Sequence, residues 1–267
     1  LSNMSDYYRR IRNTFRFTLG IIENLNFSDY EQEDNLNEID KYILARIFEL
    51  YSIRQNAIKN HVYHTFYKAL FEFCSVDLSA FYFDISKDTL YCDALNSDDR
   101  KGKIFTMLKV YNILVSWLSP VLCHTMEEAW KIFKTEDLES VHLKLAPKIP
   151  ENWENIQLLE KWEKIKKIRR IVNSAIEKAR NEKKIGTSLE TDVIIEANGE
   201  KAELIENNQM YKICMVARIK VKKKKDPAPK EFISHIEVKT DKIEVWVNKT
   251  NYLKCLRCWQ YKEDVDK

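Results

Sequence analysis

Glycine and proline are scarce, with four and five residues in a chain of 267. Strands and tight turns use both as punctuation, so a sheet-dominated fold is excluded and long, rarely broken helices are expected. No long uncharged apolar run is present, which gives no support to a signal peptide or a membrane-spanning helix. There is no glycine-rich phosphate loop and no G-x-S-x-G turn. The five histidines (His61, His64, His124, His142 and His235) stand apart from any carboxylate or cysteine cluster. No nucleophile, base and oxyanion site assemble, so the chain shows no chemistry of its own. Four of the six cysteines (Cys74, Cys92, Cys123 and Cys214) are scattered. Such spacing reads as reduced thiols in a cytosolic protein.

What is abundant is helical periodicity and locally clustered positive charge. The net charge is only +3, so the placement of the cations matters more than their sum. Residues 1–25 predict an amphipathic helix with Met4, Tyr8, Ile11, Phe15, Leu19 and Ile22 on its packing face. Arg9, Arg12, Asn13 and Arg16 fall on a different stripe. Phosphate is a natural partner for such a row, since a guanidinium binds it through two donors. A solvated face locally paired to Asp6 and Glu23 is the competing reading. Residues 26–37 read as a polar loop.

Further helices follow. One is marked by Ile39, Ile43, Ile47, Leu50 and Ile58. Another runs from about Val62 to Phe83, with Phe66, Leu70, Phe73, Asp77 and Ala80 in one line. A third spans roughly 98–118 with Ile104, Leu108, Tyr111, Val115 and Leu118 buried, and a fourth follows Pro120 and ends near Phe133. Helices joined by short loops predict a bundle. Pro147 and Pro150 mark a boundary before a basic periodic stretch, 158–184, in which Trp162 sits among lysines and arginines. That pattern suits tracking of an RNA backbone and equally a solvated helix. Gly186 is its expected C-terminal cap. Short β-branched segments then appear at Val193–Glu196, Ile213–Val221, Ile233–Thr240 and Lys242–Asn248, with a short helix near Ala202–Asn207. Lys220 and Lys222–Lys225 read as an exposed charge run.

The fold expected is therefore mainly α. A helical bundle over 1–146 leads to a linker and long basic helix over 147–190, a small α/β domain over 191–251, and the start of a zinc module over 252–267. Cys255 and Cys258 are half of a four-ligand zinc site; a redox pair is the rival, without a supporting βαβ context. Opening at Leu1 and stopping within this motif, the chain reads as a fragment of a longer polypeptide.

Specific strings carry the reading further. Tyr8-Arg9-Arg10-Ile11-Arg12-Asn13-Thr14-Phe15-Arg16-Phe17 resembles the helix that follows the catalytic domain in class I synthetases for branched aliphatic amino acids. Phe73-Cys74-Ser75-Val76, Phe81 to Asp88, Trp117-Leu118-Ser119-Pro120-Val121-Leu122, Glu127-Glu128-Ala129-Trp130 and Ser140-Val141-His142-Leu143 resemble later markers in the same order. Lys183 to Glu190 and Cys255-Leu256-Arg257-Cys258-Trp259 resemble the junction and zinc segments of bacterial isoleucyl-tRNA synthetases, rather than those of the valyl and leucyl relatives. The resemblance covers the whole chain. It implies a monomeric, cytoplasmic, tRNA-binding portion that recognises the anticodon arm of isoleucine tRNA. ATP and magnesium would serve an upstream catalytic domain, with a separate domain editing mischarged valine; neither DNA nor membrane is an implied partner. It implies backbone contacts from Arg9, Arg12, Asn13 and Arg16, anticodon-proximal contacts from Lys183, Lys184, Arg257 and Trp259, and zinc ligation by Cys255 and Cys258. Trp259 would stack on an unpaired base or pack over the metal. A valyl- or leucyl-type synthetase fragment, a non-catalytic helical interaction scaffold and a stand-alone RNA-binding factor remain the rival functions.

Overall fold

The computed structural model describes residues 2–30, 36–223, 226–229, 231–263 and 265. The chain forms two compact units, Leu1–Leu159 and Glu160–Lys267. The first is helical: α1 (Ser2–Ile22), α2 (Glu38–Lys59), α3 (Tyr63–Glu72), α4 (Phe83–Cys92), α5 (Asp98–Leu118) and α6 (Cys123–Ile132). Residues 31–35 of the expected polar loop lie outside the described residues, and Phe27–Tyr30 within it form a 3₁₀ turn.

α5 is the centre of this unit. Ile104, Leu108, Tyr111, Val115 and Leu118 are all buried, and so are Phe105, Met107, Leu114 and Trp117 on its other sides. A helix that is apolar nearly all round needs cover on every side, and α1, α2, α4 and α6 provide it. The chain behind α6 is fixed by polar contacts. Tyr111 Oη donates to the carbonyl oxygens of Phe133 (2.7 Å) and Ala129 (2.9 Å). Trp130 Nε1 donates to Leu138 O at 3.1 Å, and Glu127 accepts from Ser140 Oγ (2.8 Å) and the Val141 amide (3.1 Å).

Two expectations for unit one change. Met4 and Tyr8 are 65% and 41% exposed and Ile11 is half-buried, so full burial on the packing face of α1 begins only at Thr14 and Phe15. The expected helix from 62 to 83 continues to Cys92, and its middle, Phe73–Tyr82, is a π-helix between α3 and α4. An i→i+5 turn carries about 4.4 residues. Besides Ser75, the buried positions recur every four residues, as Phe73 and Cys74, Asp77 and Leu78, then Phe81 and Tyr82. Ala80, aligned by the α-helical period, is exposed.

The π segment aims two side chains into ionic clusters. Asp77 accepts from Arg46 (3.1 and 3.2 Å) and from Tyr42 Oη (3.3 Å). Tyr82 Oη donates to Asp40 at 2.6 Å, and Lys103 Nζ donates to the same oxygen at 3.1 Å. The Asn37 amide supplies a third donor to Asp40, at 3.1 Å.

The second unit holds most of α7 (Ile156–Asn181), then β1 (Thr191–Glu196), α8 (Glu200–Asn207), α9 (Met210–Cys214), β2 (Arg218–Lys222), β3 (Ser234–Val238) and β4 (Ile243–Lys249). The sheet order is β2-β1-β4-β3, with β1 parallel to β2 and the other pairs antiparallel. The parallel pair requires a crossover, which α8 and α9 supply. Val193, Ile195, Val245 and Val247 alternate onto the buried face. Ser234 on that face donates to Ala175 O of α7 at 2.8 Å. The expected strand at 213–221 begins only at Arg218. Residues 210–214 are helical, and Met215 (φ 55°) turns the chain out of that helix. A short hairpin, β5 (Leu253–Lys254) and β6 (Tyr261–Lys262), closes the described chain.

The end of α7 also departs from expectation. Lys183, at φ 58°, is the left-handed residue. The Lys184 amide donates to Ala179 O (3.0 Å) and the Lys183 amide to Arg180 O (2.9 Å), the paired bonds of a Schellman cap. Gly186 instead donates its amide to Glu190, as does Thr187 at 3.2 Å. Burial pushes the Glu190 carboxyl up, but these amides and the Lys249 ammonium more than offset it and hold it below the usual range. A left-handed L-residue costs about 1 kcal/mol that glycine does not. Lys183→Gly is therefore expected to stabilise the fold by about 1 kcal/mol, read as a higher midpoint in urea unfolding.

Candidate nucleic-acid interface

The arginine stripe of α1 is positioned by the packing of its opposite face. Thr14, Phe15, Thr18, Leu19 and Ile22 are buried. Thr14 Oγ1 lies 3.3 Å from Cys74 O and fixes the rotation of the helix. This leaves Arg9, Arg12, Asn13 and Arg16 exposed. They do not act as one row. Arg9 and Arg10 both pair with Asp6, at 2.6 and 2.8 Å. Arg12, Asn13 and Arg16 line a cleft of about 480 Å³ against α6, together with Glu23, Thr125 and Glu128.

The cleft is mixed in charge. Arg12 stands 3.8 Å from Glu128, with more than half of each side chain in water. Such a pair contributes roughly 0–1 kcal/mol and yields readily to a better anion. No ion pair holds Arg16 among the described residues. The sequence pointed to Glu23 as a local partner for the stripe, yet it missed Thr125 and Glu128. The signal for Glu128 was in the Glu127-Glu128-Ala129-Trp130 string, whose members face different ways: Glu127 and Trp130 brace the chain after α6, and Glu128 faces the arginines.

The basic helix behaves differently from a free cationic face. Lys164 pairs with Glu200 (2.5 Å), Lys167 with Asp241 (2.6 Å) and Arg180 with Glu177 (2.5 Å). Arg169 donates to Ile213 O (2.9 Å), Lys178 to His235 O (3.2 Å) and Lys184 to Ile233 O (2.8 Å). Trp162 is 3% exposed and belongs to the core. Apart from the Arg180–Glu177 pair, which lies within α7, these cations fasten the helix and its end to its own unit. Lys183 is exposed at the helix end, while Lys184 is held by Ile233 O and by Glu182 at 2.6 Å. The charge run is corrected too: Lys222 is buried on β2, paired with Glu196 and 5.3 Å from the Trp246 ring centroid. Lys224 and Lys225 lie outside the described residues.

The hairpin presents Arg257 and Trp259 at its turn. Trp259 is 65% exposed, in a left-handed conformation (φ 62°), with Lys254 Nζ 5.3 Å from its ring centroid. Cys255 and Cys258 bracket the same turn. The amides of Cys258 and Arg257 hold the Cys255 thiol below its usual range, whereas burial pushes Cys258 up. Two thiols on one turn fit two corners of a tetrahedral zinc site. Among the described residues no three His, Cys, Asp or Glu side chains gather as a metal site, so these residues do not complete one. Cys74 and Cys214 are fully buried and pushed up to about 12, which leaves both as inert thiols. No described helix is long and apolar enough to cross a membrane.

A family model for the anticodon-binding domain of tRNA ligases matches residues 40–195, more than half of the chain. The chain belongs to this family. The anticodon-binding match takes in α2 to α7 and most of β1. Individual relatives extend the likeness to nearly the whole chain. The isoleucine–tRNA ligase of Pelagibacter ubique is 38% identical over 97% of this chain and 27% of its own length. That of Agrobacterium fabrum is 37% identical over 97% of this chain and 26% of its own length. That of Caldicellulosiruptor saccharolyticus is 37% identical over 100% of this chain and 28% of its own length. The chain thus spans about a quarter of the curated relatives it matches.

Proposed function

We propose that the chain is the tRNA-binding portion of an isoleucine–tRNA ligase and holds the anticodon arm of isoleucine tRNA. The observation that carries this reading is the similarity to isoleucine–tRNA ligases along essentially the entire chain, α1 and the cysteine hairpin included. It favours isoleucine over the valyl and leucyl alternatives. A helical scaffold without RNA affinity would give no reason for membership in an anticodon-binding family.

On this reading ATP- and magnesium-dependent attachment of isoleucine, and editing of valine, belong to the parts of the relatives that have no counterpart here. The chain alone is inert in aminoacylation. The working division is 1–146 as the anticodon-binding bundle, 147–190 as connecting helix, 191–251 as junction domain and 252–267 as the start of a zinc module. Cys255 and Cys258 supply two zinc ligands, with two more from outside this chain. The enzyme is cytoplasmic and monomeric.

Arg12, Asn13 and Arg16 contact the RNA backbone from the α1 cleft, and Arg9 does so after leaving Asp6. Lys183, Lys184, Arg257 and Trp259 lie nearer the anticodon. The exposure of Trp259 supports stacking on an unpaired base, which single-stranded loops offer and duplexes do not. The test is binding of the chain to isoleucine tRNA, valine tRNA and an anticodon-swapped isoleucine tRNA across a salt series. Preference for the first, weakening steeply with salt, is the expected result. Absence of binding to any of the three at low salt sinks the reading.

A further inference from the structure

The corner between α2 and α3 carries cations that the fold itself does not use. From Leu50 to Phe71 the sequence has no Asp or Glu, yet it holds Arg54, Lys59, His61, His64 and Lys68. Lys59, His61, His64 and Lys68 are exposed. Among the described residues, none of Arg54, Lys59 and Lys68 makes an ion pair. The basic helix α7 is the opposite case, since its cations are engaged by Glu200, Asp241 and backbone carbonyls.

The two arginines of α2 show what this means for a partly buried charge. Arg46 is held by Asp77 at 3.1 Å and by Glu49. Burial lowers its guanidinium, and these two carboxylates more than offset that. Arg54, about two turns further on, is half-buried and meets no carboxylate. Its guanidinium stands 5.7 Å from the centroid of the Trp117 ring. Burial holds it below the usual arginine range, and the phenols of Tyr67 and Tyr51 beside it offset this only in part. A guanidinium stays charged in a protein all the same. A partly desolvated cation without a counter-ion works against the folded state. Its place on the surface makes sense when an anion arrives from outside.

The neighbours of Arg54 are donors as well. α3 packs against α2. On α3, Tyr63 and Tyr67 stand one turn apart, and His64 and Lys68 form the adjoining stripe. The Tyr63 and Tyr67 phenols lie close enough to feel one another. His61 Nδ1 is 3.2 Å from Tyr63 Oη and anchors that phenol at the corner. A guanidinium takes two phosphate oxygens through its fork, and phenols donate to phosphate or to 2′-hydroxyl oxygens. A partner matched to this corner carries regularly spaced phosphates with hydroxyls beside them, which describes an RNA strand.

We propose that the α2–α3 corner holds the phosphate backbone of the bound RNA, with Arg54 as the principal contact and Tyr63, Tyr67 and Lys68 around it. The inference rests on the RNA-binding reading above and adds a contact that the α1 arginines do not make.

The experiment measures fluorescence anisotropy of the full chain with labelled isoleucine tRNA across a salt series, with urea unfolding followed in parallel. Arg54→Met keeps an apolar stem over Trp117 and removes the charge and its donors. It is expected to weaken tRNA binding several-fold at low salt and to lower the salt slope by about one. Its urea midpoint should equal or exceed that of the wild type, because no carboxylate loses a partner. Arg54→Lys should keep the slope and recover only part of the affinity, since an ammonium lacks the fork. Lys68→Ala alters an exposed residue and should lower affinity and slope in the same direction. Wild-type binding that Arg54→Met leaves unchanged in affinity and slope overturns the corner and leaves the RNA-binding reading standing. Should Arg54→Met fail to fold, unchanged binding by Lys68→Ala overturns it. Capture of a polyglutamate peptide that Arg54→Met abolishes, with tRNA binding untouched, assigns the corner to an acidic protein segment instead. No binding of tRNA by the wild type overturns both readings.

Discussion

Asp40→Ala is expected to destabilise unit one by about 3–5 kcal/mol, the usual cost of stranding the partner of a buried ion pair. Asp40 is fully buried and Lys103 is 4% exposed. The substitution leaves the Lys103 ammonium without its carboxylate and Tyr82 Oη without its acceptor. Burial, followed by the Asp40 charge and hydrogen bond, holds the Tyr82 phenol well above its usual range in the wild type. The Asp40→Ala/Lys103→Met double variant removes both charges and is expected to recover much of the loss. Urea unfolding of the two variants beside the wild type measures this. A single variant within about 0.5 kcal/mol of the wild type would mean that the cluster does not hold the unit together.

The largest functional effect is expected from Arg12→Ala combined with Arg16→Ala. Loss of two phosphate contacts should lower tRNA affinity by about tenfold or more at low salt and reduce the salt slope by about two. Arg9→Ala should do less, because Arg9 must first leave Asp6, 2.6 Å away. The three arginines look equivalent in the sequence, and the structure distinguishes them by their neighbours. A double variant that binds as tightly as the wild type would remove the α1 cleft from the RNA-binding surface and shift attention to unit two.

Much of the helical part of the fold was legible because burial on one side leaves a regular trace. The bounds of α5 and its five expected buried positions follow from a 3.6-residue period broken by Pro120, whereas the burial of its other sides does not. The π segment was not legible. Its period is close enough to the α-helical one to look like a short run of it, and the discrepancy shows only at Ala80. The helix end at Lys183 was missed because a lysine in left-handed conformation has no compositional mark, while Gly186 nearby has a strong one. The same limit applies to the basic helix. Composition counts cations, but only pairing across the sequence, such as Lys164 with Glu200 or Lys167 with Asp241, shows which of them are already engaged. The α1 cleft and the small sheet depend on which elements become neighbours. α6 beside α1, and the sheet order β2-β1-β4-β3, lie beyond local pattern.

The π-helical stretch has a further consequence, concerning chain length. From Tyr63 to Cys92 the backbone runs through α3, the π segment and α4 without a loop to absorb a change of register. Inserting or deleting one residue anywhere in this span turns everything beyond it by about 100°. For a change before Phe73, Asp77 and Tyr82 would then swing away from Arg46 and Asp40, and buried residues would turn toward water. A side-chain replacement at the exposed Val76 or Ala80 alters only surface. The span should therefore accept many spellings but only one length.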